Sequence, residues 1–176
     1  RYINFRGTFL FLISVIDGFS RYIVHHELRT AMEELDVEIT LVKAFEKFPG
    51  CKPRIISDNG SQFLARDFAE YLKIEGLKHI RTSVNYPKSN GKIERYHRTL
   101  SEECLRRKSL ISLDDAKSQI QAFVDFYNNQ RLHSSLYYLT PADFLRGTVR
   151  DKLDIRDRKL RDAKRNRFNV RCAHIN

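Results

Sequence analysis

Arg54-Ile55-Ile56-Ser57-Asp58-Asn59-Gly60-Ser61-Gln62-Phe63 is a short apolar run that breaks off at a carboxylate followed by a turn dipeptide. The run predicts a strand over 54–57, and Asn59-Gly60 predicts the turn that ends it. A carboxylate at the end of a parallel-type strand points into the crevice beyond the strand ends, where open α/β sheets bind ligands. Taken alone, Asp58 fits better as a turn residue or a helix N-cap.

Working back from this strand, Met32, Leu35, Ile39, Val42 and Phe45/Phe48 recur at helical spacing, so residues 30–48 predict an amphipathic helix stopped by Pro49-Gly50. Tyr2-Ile3-Asn4-Phe5, a turn at Arg6-Gly7-Thr8, the apolar run Phe9–Ile16, the Asp17-Gly18 turn signal and Arg21–His25 predict an antiparallel meander of three strands. Working forward, Phe63–Glu75 predicts a helix closed by Gly76, and His79–Thr82 a fifth strand. A polar loop, Pro87–Gly91, leads into a helix from about Asn90 to Arg106. Ser112 with Asp115 resembles a capping box and opens a long helix through Asn128. Thr140-Pro141 starts a short helix that ends at Gly147. Three strands, helix, strand, helix, strand and then helices predict an α/β fold: a five-stranded mixed sheet flanked by helices, with a C-terminal helical extension.

The second carboxylate of interest is Glu94, in the first turns of the helix that begins near Asn90. Ile93, His97, Leu100 and Cys104 form the apolar stripe of that helix, while Gly91, Glu94, Arg95 and Arg98 share another face. That face holds one acid among bases, beside a glycine that lets another backbone approach closely. Taken alone, Glu94 fits better as the partner of Arg98 in an i,i+4 ion pair, worth only ~0.2–0.5 kcal/mol. The pair says more than either member. Thirty-five residues separate Asp58 from Glu94, and an intervening helix and strand let the chain return so that both acids meet at one sheet edge.

At 176 residues with 41% hydrophobic content, the chain suits one domain with a real core. Its net charge of +10 fits either a well-solvated basic surface or a polyanionic partner, of which nucleic acid is the commonest. No run approaches the ~20 apolar residues that cross a bilayer. Cys51, Cys104 and Cys172 are odd in number, far apart and outside any zinc spacing, which suits a reducing cytosol. His25 and His26 point to opposite faces of a strand, which argues against a shared metal. His79 and His97 read as core or boundary residues. From Gly147 to Asn176 there are ten Lys/Arg and four Asp/Glu with alternating charge, which predicts a solvated helix or a flexible basic tail over 148–176.

Four segments carry a family likeness. Ile56–Phe63 resembles the second catalytic motif of retroviral integrases and related bacterial insertion-sequence transposases, and Pro87-Lys88-Ser89-Asn90-Gly91-Lys92-Ile93-Glu94-Arg95 resembles the third. The 35-residue gap before the glutamate is characteristic of that family. Tyr127-Asn128-Asn129-Gln130-Arg131-Leu132-His133, with Leu136 and Thr140-Pro141, resembles the closing segment of its transposase branch, and Val15–Arg21 resembles its early turn. The likeness covers residues 1 to about 147.

The resemblance implies a ribonuclease H-like catalytic core with two aspartates and a glutamate. It implies two Mg²⁺ or Mn²⁺ ions ~3.5–4 Å apart on hard carboxylate oxygens, of which Asp58 and Glu94 supply two ligands. The activity it implies is DNA nicking and strand transfer at transposon ends, by a homo-oligomer on DNA, in a bacterial, nucleoid-associated cytoplasmic setting. Lys88, Lys92, Arg95, Arg98 and the amide of Asn90 are its candidate DNA contacts. Basic side chains there hold phosphates and carry no sequence information. The family's first aspartate falls about two residues before Arg1, so the chain is expected to start within the first strand and to be catalytically incomplete. Asp17, the one early acid inside the chain, matches the family's turn instead of its first ligand. Two other readings remain open: a nuclease on the same fold, and a non-catalytic DNA-binding remnant.

Overall fold

The computed structural model describes residues 2–5, 8–82, 90–107 and 110–173. The turn expected at Arg6-Gly7 and most of the Pro87–Gly91 loop, Lys88 included, lie outside the described residues. The chain divides into two compact units, residues 1–126 and 127–176.

In the first unit, β1 (Tyr2–Phe5), β2 (Thr8–Ile16) and β3 (Ile23–Arg29) form an antiparallel ladder in that order. β2 is buried on both faces: Leu10 and Leu12 on one, Ile13 on the other. The β2–β3 turn is longer than a two-residue Asp-Gly hairpin. Asp17 Oδ2 accepts from the Ser20 amide at 2.7 Å and from the Ser20 hydroxyl, Ser20 Oγ accepts from Tyr22 N, and Arg21 takes a left-handed φ of 65°. The strand therefore starts at Ile23. A register shift between Val15 and Ile16 bends the end of β2 into this turn.

α1 (Glu34–Glu46) opens with reciprocal Glu33/Asp36 capping and buries Val37, Thr40, Leu41 and Ala44. Leu35 and Val42, expected on the core face, are exposed instead. The two stripes lie on opposing sides of the helix, since a two-residue step rotates by about 200°. Thr40 is accommodated inward because its hydroxyl donates to the Asp36 carbonyl.

β4 (Arg54–Ser57) and β5 (Lys78–Arg81) pair in parallel, with Ile56 opposite Ile80. All five expected strands are present and of mixed sense, in a three-stranded and a two-stranded ladder. Between β4 and β5 the expected single helix is two, α2 (Ser61–Leu64) and α3 (Arg66–Ile74), because Ala65 is extended. The two ladders share one core. Ile13 and Val15 of β2 and Ile55 of β4 pack with Val37 and Leu41 of α1 and with Phe68 and Leu72 of α3.

α4 (Gly91–Leu100) buries Tyr96 and Leu100, then runs into a π-helical turn over Ser101–Leu105. Tyr96, absent from the expected stripe, is fully buried. In that turn Cys104 is also buried, with Sγ 3.8 Å from the carbonyl of Gln119 in α5 (Leu113–Asn129). Ser112 Oγ accepts from Asp115 N as expected, whereas the Asp115 carboxylate reaches Ile111 N.

The second unit holds a short 3₁₀ turn, Ser134–Leu136, and α6 (Pro141–Leu145), capped reciprocally by Thr140 and Asp143. Gly147, at φ 73°, stops α6. Beyond it, α7 (Val149–Ala173) is a single helix, exposed along nearly all its length.

Candidate active site

Asp58 stands immediately after β4, and its neighbours are fastened to β5 and to Thr82, the residue that follows β5. On one side, the Ser57 hydroxyl lies 2.9 Å from the Asp58 carbonyl oxygen and 2.9 Å from His79 Nε2. Ser57 O also accepts from Thr82 N at 2.9 Å, extending the parallel ladder by one bond. On the other side, Asn59 Nδ2 donates to Thr82 O at 2.9 Å. His79 is set in turn by the Phe68 ring, which meets it edge-to-face at 5.4 Å. Burial, and then the charge of Arg81, hold the His79 imidazole below its ordinary pKa and favour the neutral ring. The Asp58 carboxylate is exposed; Oδ1 accepts from Gly60 N at 3.0 Å, closing an Asx turn.

Glu94 is exposed in the first turn of α4, where the helix dipole favours an anion. Lys92, Arg95 and Arg98 are also exposed. Lys92 Nζ donates to the Gly18 carbonyl, which fastens the start of α4 to the β2–β3 turn. Asn90 precedes the helix with φ −94° and makes no side-chain cap. Among the described residues, nothing outside its immediate surroundings in the helix lies within 4 Å of where a Gly91 side chain would begin. Asp17 spends its carboxylate on the turn described above.

Among the described residues, no three His, Cys, Asp or Glu side chains gather to hold a metal ion. Asp58 and Glu94 are hard, exposed oxygen donors, the chemistry that suits Mg²⁺ or Mn²⁺. The fastening by Ser57, Asn59, His79 and Thr82 escaped the sequence reading. Small polar residues at strand ends carry no periodic signal, although Asn59 beside a strand-end aspartate is a hint in retrospect.

An integrase core domain model matches residues 2–87, and a second integrase core domain model matches residues 75–141. An insertion element IS136 protein of Agrobacterium tumefaciens is 31% identical over 147 residues, covering 80% of this chain and 75% of that protein. The chain belongs to the integrase core family. The transposase for insertion sequence element IS904 of Lactococcus lactis is 28% identical over 146 residues, 81% of this chain and 57% of that protein. This integrase core spans about half the length of further insertion-sequence relatives. Among solved structures, the catalytic core domain of HTLV-2 integrase in complex with magnesium matches with a TM-score of 0.64, covering 82% of this chain and 90% of that one. At 18% identity that likeness establishes the fold, the ribonuclease H-like fold of retroviral integrase cores. Among the described residues, no helix is long and apolar enough to cross a membrane.

Proposed function

We propose that this integrase core is the catalytic part of a transposase-type polynucleotidyl transferase, acting at the ends of a bacterial mobile element. The reaction has two phosphoryl-transfer steps. In the first, a water oxygen attacks a phosphodiester phosphorus and the strand's 3′ oxygen leaves as a hydroxyl. In the second, that hydroxyl attacks a target phosphodiester and displaces the target strand's 3′ oxygen. No protein–DNA bond forms.

The observation that carries this reading is Asp58, fixed at the end of β4 by its neighbours' bonds to β5 and Thr82, in an integrase core whose Glu94 follows after 35 residues. In this reading Asp58 and Glu94 hold Mg²⁺ or Mn²⁺, two ions in the complete site. When bound, the metal supplies Lewis-acid activation of the attacking oxygen and neutralises charge on the leaving one. Lys92, Arg95 and Arg98, with Lys88, bind the phosphates, and Asn90 offers an amide beside Glu94. Lys92 gives up its Gly18 carbonyl to do so. Residues 1–147 form the catalytic region and 148–176 a basic extension. Two DNA ends in one reaction call for a homo-oligomer assembled on DNA.

The test is Mn²⁺ binding to the 176-residue chain followed by electron paramagnetic resonance, together with Mn²⁺-dependent nicking of a supercoiled plasmid. Asp58→Asn and Glu94→Gln are each expected to weaken Mn²⁺ binding by about ten-fold or more. Any nicking should fall to background. Unchanged Mn²⁺ affinity in both variants, or nicking that persists in EDTA, would remove the assignment.

A further inference from the structure

Two consecutive tyrosines occupy a backbone region that tyrosine rarely adopts. Tyr137 has φ 54° and ψ 31°, and Tyr138 has φ 57°. Glycine adopts this left-handed region freely, whereas a bulky side chain is strained there. The rings are not compensated by burial, being 62% and 65% exposed. The main chain is what holds the turn. Tyr137 O accepts from Arg156 Nη1 at 2.7 Å, and Tyr138 N donates to His133 O at 2.9 Å. The Tyr137 ring lies parallel to Phe144, with centroids 6.4 Å apart and an interplanar angle of 9°, while the residue stays largely exposed. The turn seats Leu136 and Leu139 in the core but leaves both strained tyrosines outside it, and strain of this kind clusters at functional sites.

The surroundings say what this one serves. Arg156 belongs to α7, so the basic helix passes directly beside the turn. Residues 127–176 carry twelve Lys/Arg against five Asp/Glu, most of the chain's positive excess. Exposed aromatic rings on a basic surface are the two components of a single-strand binding site, since rings stack on bases and cations track the phosphates. A duplex keeps its base faces covered, so such rings select for unpaired strands.

We propose that Tyr137 and Tyr138 form a stacking platform for unpaired bases of single-stranded DNA, with the basic residues of α7 holding its phosphates. This rests on the reading of the chain as a DNA strand-transfer enzyme and names a second nucleic-acid surface for it, outside the carboxylate site. Nicking at a DNA end frees the kind of unpaired segment that this surface takes.

The test is fluorescence anisotropy with the 176-residue chain, without divalent metal, on a labelled oligothymidylate about twenty nucleotides long and on a duplex of the same length. Tyr138→Gly and the Tyr137→Gly/Tyr138→Gly double variant are expected to weaken oligothymidylate binding by about ten-fold per ring. Duplex affinity should stay unchanged, and the Tyr138→Gly melting temperature should not fall, because glycine relieves the backbone. The Tyr137→Phe/Tyr138→Phe variant should bind like the parent, since stacking needs the ring and not the hydroxyl. Glycine variants with parental oligothymidylate affinity overturn the platform, as does an equal loss in the phenylalanine pair. Duplex binding without any single-strand effect overturns this site alone, whereas a parent chain that binds neither probe overturns the strand-transfer reading with it.

Discussion

Asn59 donates its side-chain amide to the main-chain carbonyl of Thr82 at 2.9 Å, tying the residue after Asp58 to the residue after β5. Four-residue strands have few bonds of their own, so this one matters to the position of the aspartate. Asn59→Ala should lower stability by about 1 kcal/mol, the net worth of such a bond. Asn59→Asp keeps the shape but faces the carbonyl with an acceptor, and it should cost more than the alanine. Urea unfolding of both variants is the measurement. An aspartate variant as stable as the parent would show that the bond holds nothing.

His26 gives the fold a pH dependence. Burial first, then the charges of His25 and Lys47, lower its imidazole pKa to about 4, against smaller opposing effects of Glu27 and Asp125. The unfolded chain takes up this proton near the ordinary value of 6.5. Between the two values the unfolded state binds more protons, so stability from this group is complete above about pH 6.5 and is lost as pH falls toward 4. The loss is of the order of 3 kcal/mol. Urea midpoints at pH 7.5 and 4.5 should differ accordingly, and His26→Gln should flatten the difference. A slope unchanged in that variant would assign the effect elsewhere.

Asp17 separates a structural from a metal-binding role. Its carboxylate accepts from the amide and hydroxyl of Ser20, which is fully buried. Asp17→Asn is expected to cost about 1–2 kcal/mol while leaving Mn²⁺ affinity as in the parent. Loss of Mn²⁺ binding would make Asp17 a ligand.

Phe68 reaches the site from the core. It has no exposed surface and meets Phe63 and His79 edge-to-face at 5.6 and 5.4 Å. Phe68→Ala should cost about 3–5 kcal/mol. It should also free His79, raising hydrogen exchange at the Thr82 amide more than at the amides of β2. Equal exchange at both would mean that the ring supports the core alone.

The sequence made some features legible because one physical signal dominates them. Residues 54–57 read correctly as a strand, bounded by Pro53 and by Asn59-Gly60. The face of α1 was legible only in part: Met32 and Phe45 pack against the core as expected, whereas Leu35 and Val42 are exposed, because apolar residues line two sides of the helix and packing chooses between them. The break at Ala65 was hidden by a residue that favours helix, and the burial of Tyr96 by a hydroxyl that reads as surface. Asp58 and Glu94 were legible only as a pair, through spacing and flanking motifs. The bonds that hold Asp58 were not, since Ser57, Asn59, His79 and Thr82 meet only once the parallel ladder has formed.

The π-helical turn at Ser101–Leu105 has its own consequence for Glu94. A wider turn slows the rotation of side chains along the axis, and Cys104 is buried, as Tyr96 and Leu100 are in the turns before it. The helix thus works as two gears on one shaft. Its first half is set by the burial of Tyr96 and Leu100, and its last turn is held against α5 through Cys104. The helix that carries Glu94 in its first turn is thereby held to α5 by its last.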